Sequence, residues 1–150
     1  MDLGCYCVYP AIYFFGEPLH ISASAGFLEG GADGYGAAVF GYADKQVTLT
    51  YSKTGQDRAG SQIMGDEGTV TIGSISKLNN MVYYNNINNI EERLAGDVPK
   101  YKIMGYEAQA FYNFVTDFEA NRADYEKASE TAFQVCTALS RIRELASIKF

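Results

Sequence analysis

The sequence predicts an α+β fold, an open, mainly antiparallel β-sheet with helices packed on one face. Three observations carry this. Apolar residues recur at helical spacing at both ends of the chain. Between Leu19 and about Ile90 the period falls to two. The strand segments are joined by turns too short for the crossovers that parallel pairing requires.

The elements run in order along the chain. Residues 2–15 place Leu3, Cys7, Ala11 and Phe14 at helical spacing. Gly16 is the natural C-cap, Pro18 stops the helix, and Pro10 should kink it. The pattern begins at Asp2 with no preceding loop, which raises the expectation of missing upstream sequence. Leu19, Ile21, Ala23, Ala25 and Phe27 then alternate with polar or small residues. Glu29 to Gly34 is a flexible hairpin connection, and Tyr35 to Tyr42 is the returning strand. Asp44-Lys45 turns the chain into the alternation of Val47, Leu49 and Tyr51. Ser61 to Met64 is a short strand, Gly65 to Gly68 a tight turn, and Thr69 to Ile72 its partner. Met81 to Ile90 alternates aromatic and amide residues and reads as a last strand. The stretch from Ile90 to Met104 is ambiguous.

The C-terminal part reads as two helices. Ala108, Phe111, Val115 and Phe118 mark one face of a helix from about Tyr106 to Ala120. Asn121 to Asp124 reads as a turn with Asp124 as N-cap. Ala128, Ala132, Val135, Leu139, Ile142 and Ala146 then form a core stripe along a longer helix. With the last two helices covering one sheet face, the other would expose Val47, Leu49 and Tyr51, or Phe40 and Tyr42, depending on register. An open apolar face of that kind calls for a partner, and a sheet-to-sheet homodimer is the expectation.

Composition narrows the function. The chain has 150 residues and a net charge of −6, with 47% hydrophobic residues. That is enough apolar mass for a folded core and the wrong charge for non-specific nucleic-acid binding. No apolar run approaches the roughly 20 residues a membrane helix needs, and no signal peptide is visible, so a cytoplasmic location is expected. Cys5, Cys7 and Cys136 are too few to close a disulfide framework and read as small buried thiols in a reducing compartment. Neither they nor the single histidine, His20, form a metal-ligand cluster. His20 reads as a strand surface residue, with no G-x-S-x-G nucleophile to make it part of a triad. Gly34-Tyr35-Gly36 resembles the start of a dinucleotide fingerprint, but Val39 stands at its third glycine position and the segment enters a strand. No cofactor-binding residue is assigned on this chain.

Several segments together carry a resemblance. The opening Asp2-Leu3-Gly4-Cys5-Tyr6 leads through an aromatic helix to Gly16-Glu17-Pro18. Ser61 to Ile72 has the form of a strand, turn and strand reading I-x-G-(x)-x-G-x-aliphatic. Tyr106 to Phe111 and Ile142 to Phe150 supply a late helix and a closing segment. In order and spacing these resemble the C-terminal domain of the glucose–fructose oxidoreductase, inositol dehydrogenase and MocA (Gfo/Idh/MocA) family. The closest branch is the one like dihydrodiol dehydrogenase, which carries Tyr where other members carry His. The resemblance covers nearly the whole chain. It implies a single domain over residues 1–150 with the C-terminal fold of glyceraldehyde-3-phosphate dehydrogenase.

The resemblance also implies a function. Such a domain binds substrate and dimerises in an oxidoreductase that uses NAD or NADP and acts on a sugar, polyol or related hydroxyl or carbonyl compound. The family's N-terminal Rossmann domain, with its glycine-rich turn and E-K-P lysine, is absent from this sequence. These residues alone are therefore expected to bind no cofactor and transfer no hydride. By resemblance Tyr6 is the catalytic proton donor and acceptor, and Asp2, four residues earlier, binds a substrate hydroxyl or holds the upstream lysine. Two further hypotheses stand beside this one: a free-standing oligomeric small-molecule-binding module, and a hydrolase using His20.

Overall fold

The computed structural model describes residues 1–149; Phe150, the end of the closing motif, lies outside the described residues. Among the described residues there are three helices and seven strands: α1 (Cys5–Phe15), β1 (His20–Phe27), β2 (Asp33–Gly41), β3 (Gln46–Ser52), β4 (Ser61–Met64), β5 (Gly68–Ile72), β6 (Met81–Asn85), β7 (Glu91–Ala95), α2 (Lys100–Thr116) and α3 (Phe118–Leu145). The α+β class holds, with every strand pair antiparallel. The strands divide between two open sheets, ordered β1-β2-β3 and β4-β5-β6-β7. The chain resolves into two compact units, Met1–Gln56 with the chain from Asp124 onward, and Asp57–Ala123.

The first unit holds the main core. Its sheet aligns Ile21, Phe40 and Val47 across one row, and Ala23, Ala38 and Leu49 across the next. Because side chains alternate in a strand, these share one face. Val8, Ala11 and Ile12 of α1 and Val135, Ala138 and Ile142 of α3 pack on that face, and Phe40 is fully buried. Pro10 sits inside α1 and is itself buried. Gly16 ends the helix at φ +73°, a backbone conformation that costs glycine nothing, and its N–H donates to the carbonyl of Ile12 at 2.8 Å. The Tyr42 hydroxyl donates to the Gly16 carbonyl at 3.0 Å and ties that end to the sheet.

This packing corrects the expected open face. Phe40, Val47 and Leu49 belong to the covered face, and Tyr51 is half-buried on that same side. The outer face of this sheet carries His20, Ser22, Ser24, Thr48 and Thr50 instead, all exposed. The stripe on α3 is also shifted, since Thr131, Val135, Ala138 and Ile142 are buried whereas Ala128 and Ala132 are exposed.

The second unit departs further from expectation. The strand predicted over Met81 to Ile90 breaks after Asn85. The Asn85 side chain accepts from the N–H groups of Ile87 and Asn88, that of Asn88 accepts from Ile90, and Asn89 adopts φ +55°. Local side-chain bonds of this kind compete with a ladder and make turns. The ambiguous stretch beyond it contains β7 and the first turn of α2. The helix break lies at Asp117, not at Asn121 to Asp124: Asp117 leaves helical geometry at φ −145° and its carboxylate accepts from the Ala120 N–H at 3.3 Å. The face marked by Ala108, Phe111 and Val115 is exposed, and α2 has no buried residue.

Candidate functional site

The head of α1 and one end of the first unit's sheet assemble a charged cluster. Asp2 precedes α1 in a turn, and Tyr6 lies in its first turn. Both are exposed, Tyr6 to 51%. Four residues separate them in sequence, Asp2 in the turn that leads into the helix and Tyr6 on the helix itself.

Asp33 opens β2 and is buried to 4% exposure, which a carboxylate tolerates only when its charge is met. Two cations meet it. The Lys53 ammonium donates to Asp33 Oδ1 at 3.0 Å, and the N-terminal ammonium donates to the same oxygen at 2.9 Å. Lys53 follows β3, and its main-chain N–H donates to the Gly34 carbonyl at 2.7 Å, which fixes the residue beside the start of β2. From there the same Lys53 ammonium reaches Asp2 Oδ1 at 2.8 Å.

Tyr51 completes the cluster. It pairs with Gly36 across the β2–β3 ladder. Its ring lies so close over Gly36 that a Cβ there would come within 2.6 Å of it, so the missing side chain is a steric requirement. Burial raises the Tyr51 phenol, and the neighbouring Asp33 charge pushes it further, to about 12. Burial opposes the charge on Asp33, yet hydrogen bonds from the terminal ammonium and Lys53 outweigh it and hold the carboxyl at about 2. The hydrogen bond from Lys53 holds the Asp2 carboxyl below its ordinary range, and the bonds to Asp2 and Asp33 raise the Lys53 ammonium.

Sequence reasoning singled out Asp2 and Tyr6 but missed Asp33, Tyr51 and Lys53. Asp33 read as one more polar residue of a glycine-rich hairpin. The available signal was the spacing of Tyr51 and Lys53, two apart and so on one side of a strand. The remaining candidates stand apart from this cluster. His20 is exposed at the start of β1, opposite Gly41. Cys5 and Cys7 are half-buried, donating to the carbonyls of Asp2 and Thr50, and Cys136 is exposed on α3, which corrects the expectation of three buried thiols. Gly34 and Gly36 lie within β2, which pairs on both sides, so neither opens a helix whose N-terminus could face a pyrophosphate. The glycine pair does not fit a dinucleotide. Among the described residues, no group of three His, Cys, Asp or Glu could hold a metal ion, and no helix is long and apolar enough to cross a membrane.

Comparison with known proteins places this geometry. No family model matches the chain. The chain is 31% identical over 134 residues to the scyllo-inositol 2-dehydrogenase (NADP(+)) IolU of Bacillus subtilis, covering 88% of this chain and 40% of that protein. It is 39% identical over 77 residues to the oxidoreductase YgjR of Escherichia coli, covering 51% of this chain and 24% of that one. The chain thus spans well under half the length of these curated relatives. Among solved structures, a candidate oxidoreductase from Klebsiella pneumoniae superposes with a TM-score of 0.69 at 18% identity, over 97% of this chain and 47% of its own. The UDP-N-acetylglucosamine 3-dehydrogenase GnnA of Acidithiobacillus ferrooxidans gives 0.69 at 13% identity, over 95% of this chain and 45% of its own. At those identities the superpositions establish the fold, and the matches to IolU and YgjR make the chain a homologue of part of these oxidoreductases, consistent with a C-terminal domain of the Gfo/Idh/MocA kind.

Proposed function

We propose that the chain is the substrate-binding and dimerisation domain of an NAD(P)-dependent oxidoreductase acting on a sugar, polyol or related hydroxyl or carbonyl compound. The observation that carries this is the homology with an inositol dehydrogenase over 134 residues, which takes in most of the chain. The exposed pair of Tyr6 and Asp2 at the head of α1 supports it. On this reading the hydride carrier is bound by another part of the protein, and the protein works in the cytoplasm. What this chain contributes is substrate contact and a proton. Interconverting a hydroxyl and a carbonyl requires a group that takes up or returns the oxygen-bound proton. The Tyr6 phenol, exposed on the first turn of α1, is that group. Asp2, held as an anion by Lys53, accepts a hydrogen bond from a substrate hydroxyl.

The test is Tyr6→Phe in the complete oxidoreductase. The ring and its packing survive, and the exchangeable proton is lost. Positioned acid–base groups contribute about 10²- to 10⁴-fold to rate, so kcat should fall on that scale while cofactor affinity stays unchanged. A variant keeping more than about half of wild-type kcat removes Tyr6 from the chemistry.

A further inference from the structure

We propose that Lys53 is a positioning residue of this site: anchored by the buried Asp33 carboxylate, its ammonium holds Asp2 in one orientation at the head of α1. The inference rests on the functional reading above for what Asp2 meets, and on geometry alone for what holds Asp2.

An isolated lysine–aspartate pair at a surface is loose, because two flexible side chains must give up their freedom for a screened attraction. The Lys53–Asp2 pair differs in one respect. Asp33 is buried and Lys53 is one of the two cations that meet its charge, so the Lys53 ammonium is held there whether or not Asp2 is present. The main-chain bond from Lys53 to Gly34 fixes the other end of the same residue. With both ends held, the ammonium offers Asp2 a fixed point of attachment at 2.8 Å. Two other groups face the cluster. The terminal ammonium lies 2.9 Å from Asp33 Oδ1 and 3.8 Å from Asp2 Oδ1, and the Tyr51 phenol stays neutral beside Asp33.

This arrangement decides between two roles for Asp2. A carboxylate already neutralised by Lys53 is a poor sole counterion for a second lysine brought from elsewhere. It remains a good, pre-oriented acceptor for a hydroxyl. On the functional reading above, Asp2 is therefore the pre-oriented acceptor for a substrate hydroxyl and not the counterion of a second lysine.

The experiment compares Lys53→Met with Lys53→Arg. In this chain, NMR titration of the Asp2 carboxyl carbon should show a midpoint below the ordinary range in wild type, a rise toward that range in Lys53→Met, and retention of the low midpoint in Lys53→Arg. Asp33→Asn approaches from the other side: with its anchor gone, Lys53 should release Asp2, and the Asp2 midpoint should rise as well. In the complete oxidoreductase, Lys53→Met should raise KM for a sugar or polyol substrate roughly two- to fivefold, the scale of a lost surface ion pair, with kcat little changed and Lys53→Arg close to wild type. An Asp2 midpoint that ignores both Lys53→Met and Asp33→Asn overturns the inference, as does an unchanged KM. Failure of the functional reading looks different: Tyr6→Phe would keep its turnover while the Asp2 titration still followed Lys53.

Discussion

Asp33 and Tyr51 face each other in the first unit with opposite electrostatic preferences, and this gives the protein two pH edges. Asp33 is held at about 2, below an unfolded value of 3.8, so its charged form stabilises the fold. That contribution is complete above about pH 4 and is lost as pH falls through about 2. Tyr51 is raised from 10.0 to about 12, so its neutral form is the stabilising one. Its contribution is complete below about pH 10 and is lost as pH rises through about 12. Unfolding monitored from pH 2 to 12 should give a stability plateau between these edges. Asp33→Asn should flatten the acid edge by an amount on the order of 1 kcal/mol. An acid edge of the same size in Asp33→Asn would remove Asp33 as its cause. Little of this was legible from the sequence. Asp2 and Tyr6 were singled out because they bound one five-residue motif, whereas Asp33 and Lys53 are 20 positions apart and meet only once β2 and β3 have paired.

Helices α2 and α3 show where periodicity informs and where it misleads. Both carry apolar residues at helical spacing, and both are helices. Spacing reports that a helix has an apolar face, but it does not report that the face is covered. Val135 and Ile142 of α3 are buried against the first unit's sheet, whereas Phe111 of α2 is 69% exposed. The boundary between the two helices was misplaced for a related reason. Asn121 to Asp124 looks like a turn by composition, yet a single residue, Asp117, breaks the helix by leaving helical φ and ψ and capping the start of α3. Truncation should separate the two faces sharply. Phe40→Ala removes a side chain with no exposure and should cost about 3–5 kcal/mol. Phe111→Ala in the isolated chain should change stability by less than about 0.5 kcal/mol. Denaturant titration followed by circular dichroism checks both, and comparable losses would mean that Phe111 is covered in solution.

At the scale of the whole molecule, the antiparallel pairing and the first five strands were legible because turn residues mark the ends of strands, whereas β7 lay hidden in the ambiguous stretch after Ile90. The division into two sheets was not, because nothing local in the sequence states which strand edges stay unpaired. That division moves the expected homodimer to a new place. The outer face of the first sheet is lined by Ser22, Ser24, Thr48 and Thr50, groups that water satisfies. The second sheet is different. Gln62, Thr71, Val82 and Arg93 form one row of a face, and Met64, Thr69, Tyr84 and Glu91 the next, with Met64 exposed to 77% and Tyr84 to 39%. Apolar groups flanked by Gln62, Arg93 and Glu91 resemble the centre and rim of an interface more than a solvated surface. A two-fold axis through this face would set the same rows against each other, so Met64 and Tyr84 of one copy would be covered by those of its partner. We therefore expect a dimer in light scattering at tens of micromolar, with the four-stranded sheet at its centre. Met64→Lys with Tyr84→Lys places four added charges across the axis and should shift the protein to monomer without loss of helix or strand signal. The same substitutions on a hydroxyl-lined face, Ser22→Lys with Thr48→Lys, should leave the dimer intact. Dimers that persist in the first pair and dissociate in the second would return the interface to the three-stranded sheet, and a wild-type monomer at high concentration would rule out both.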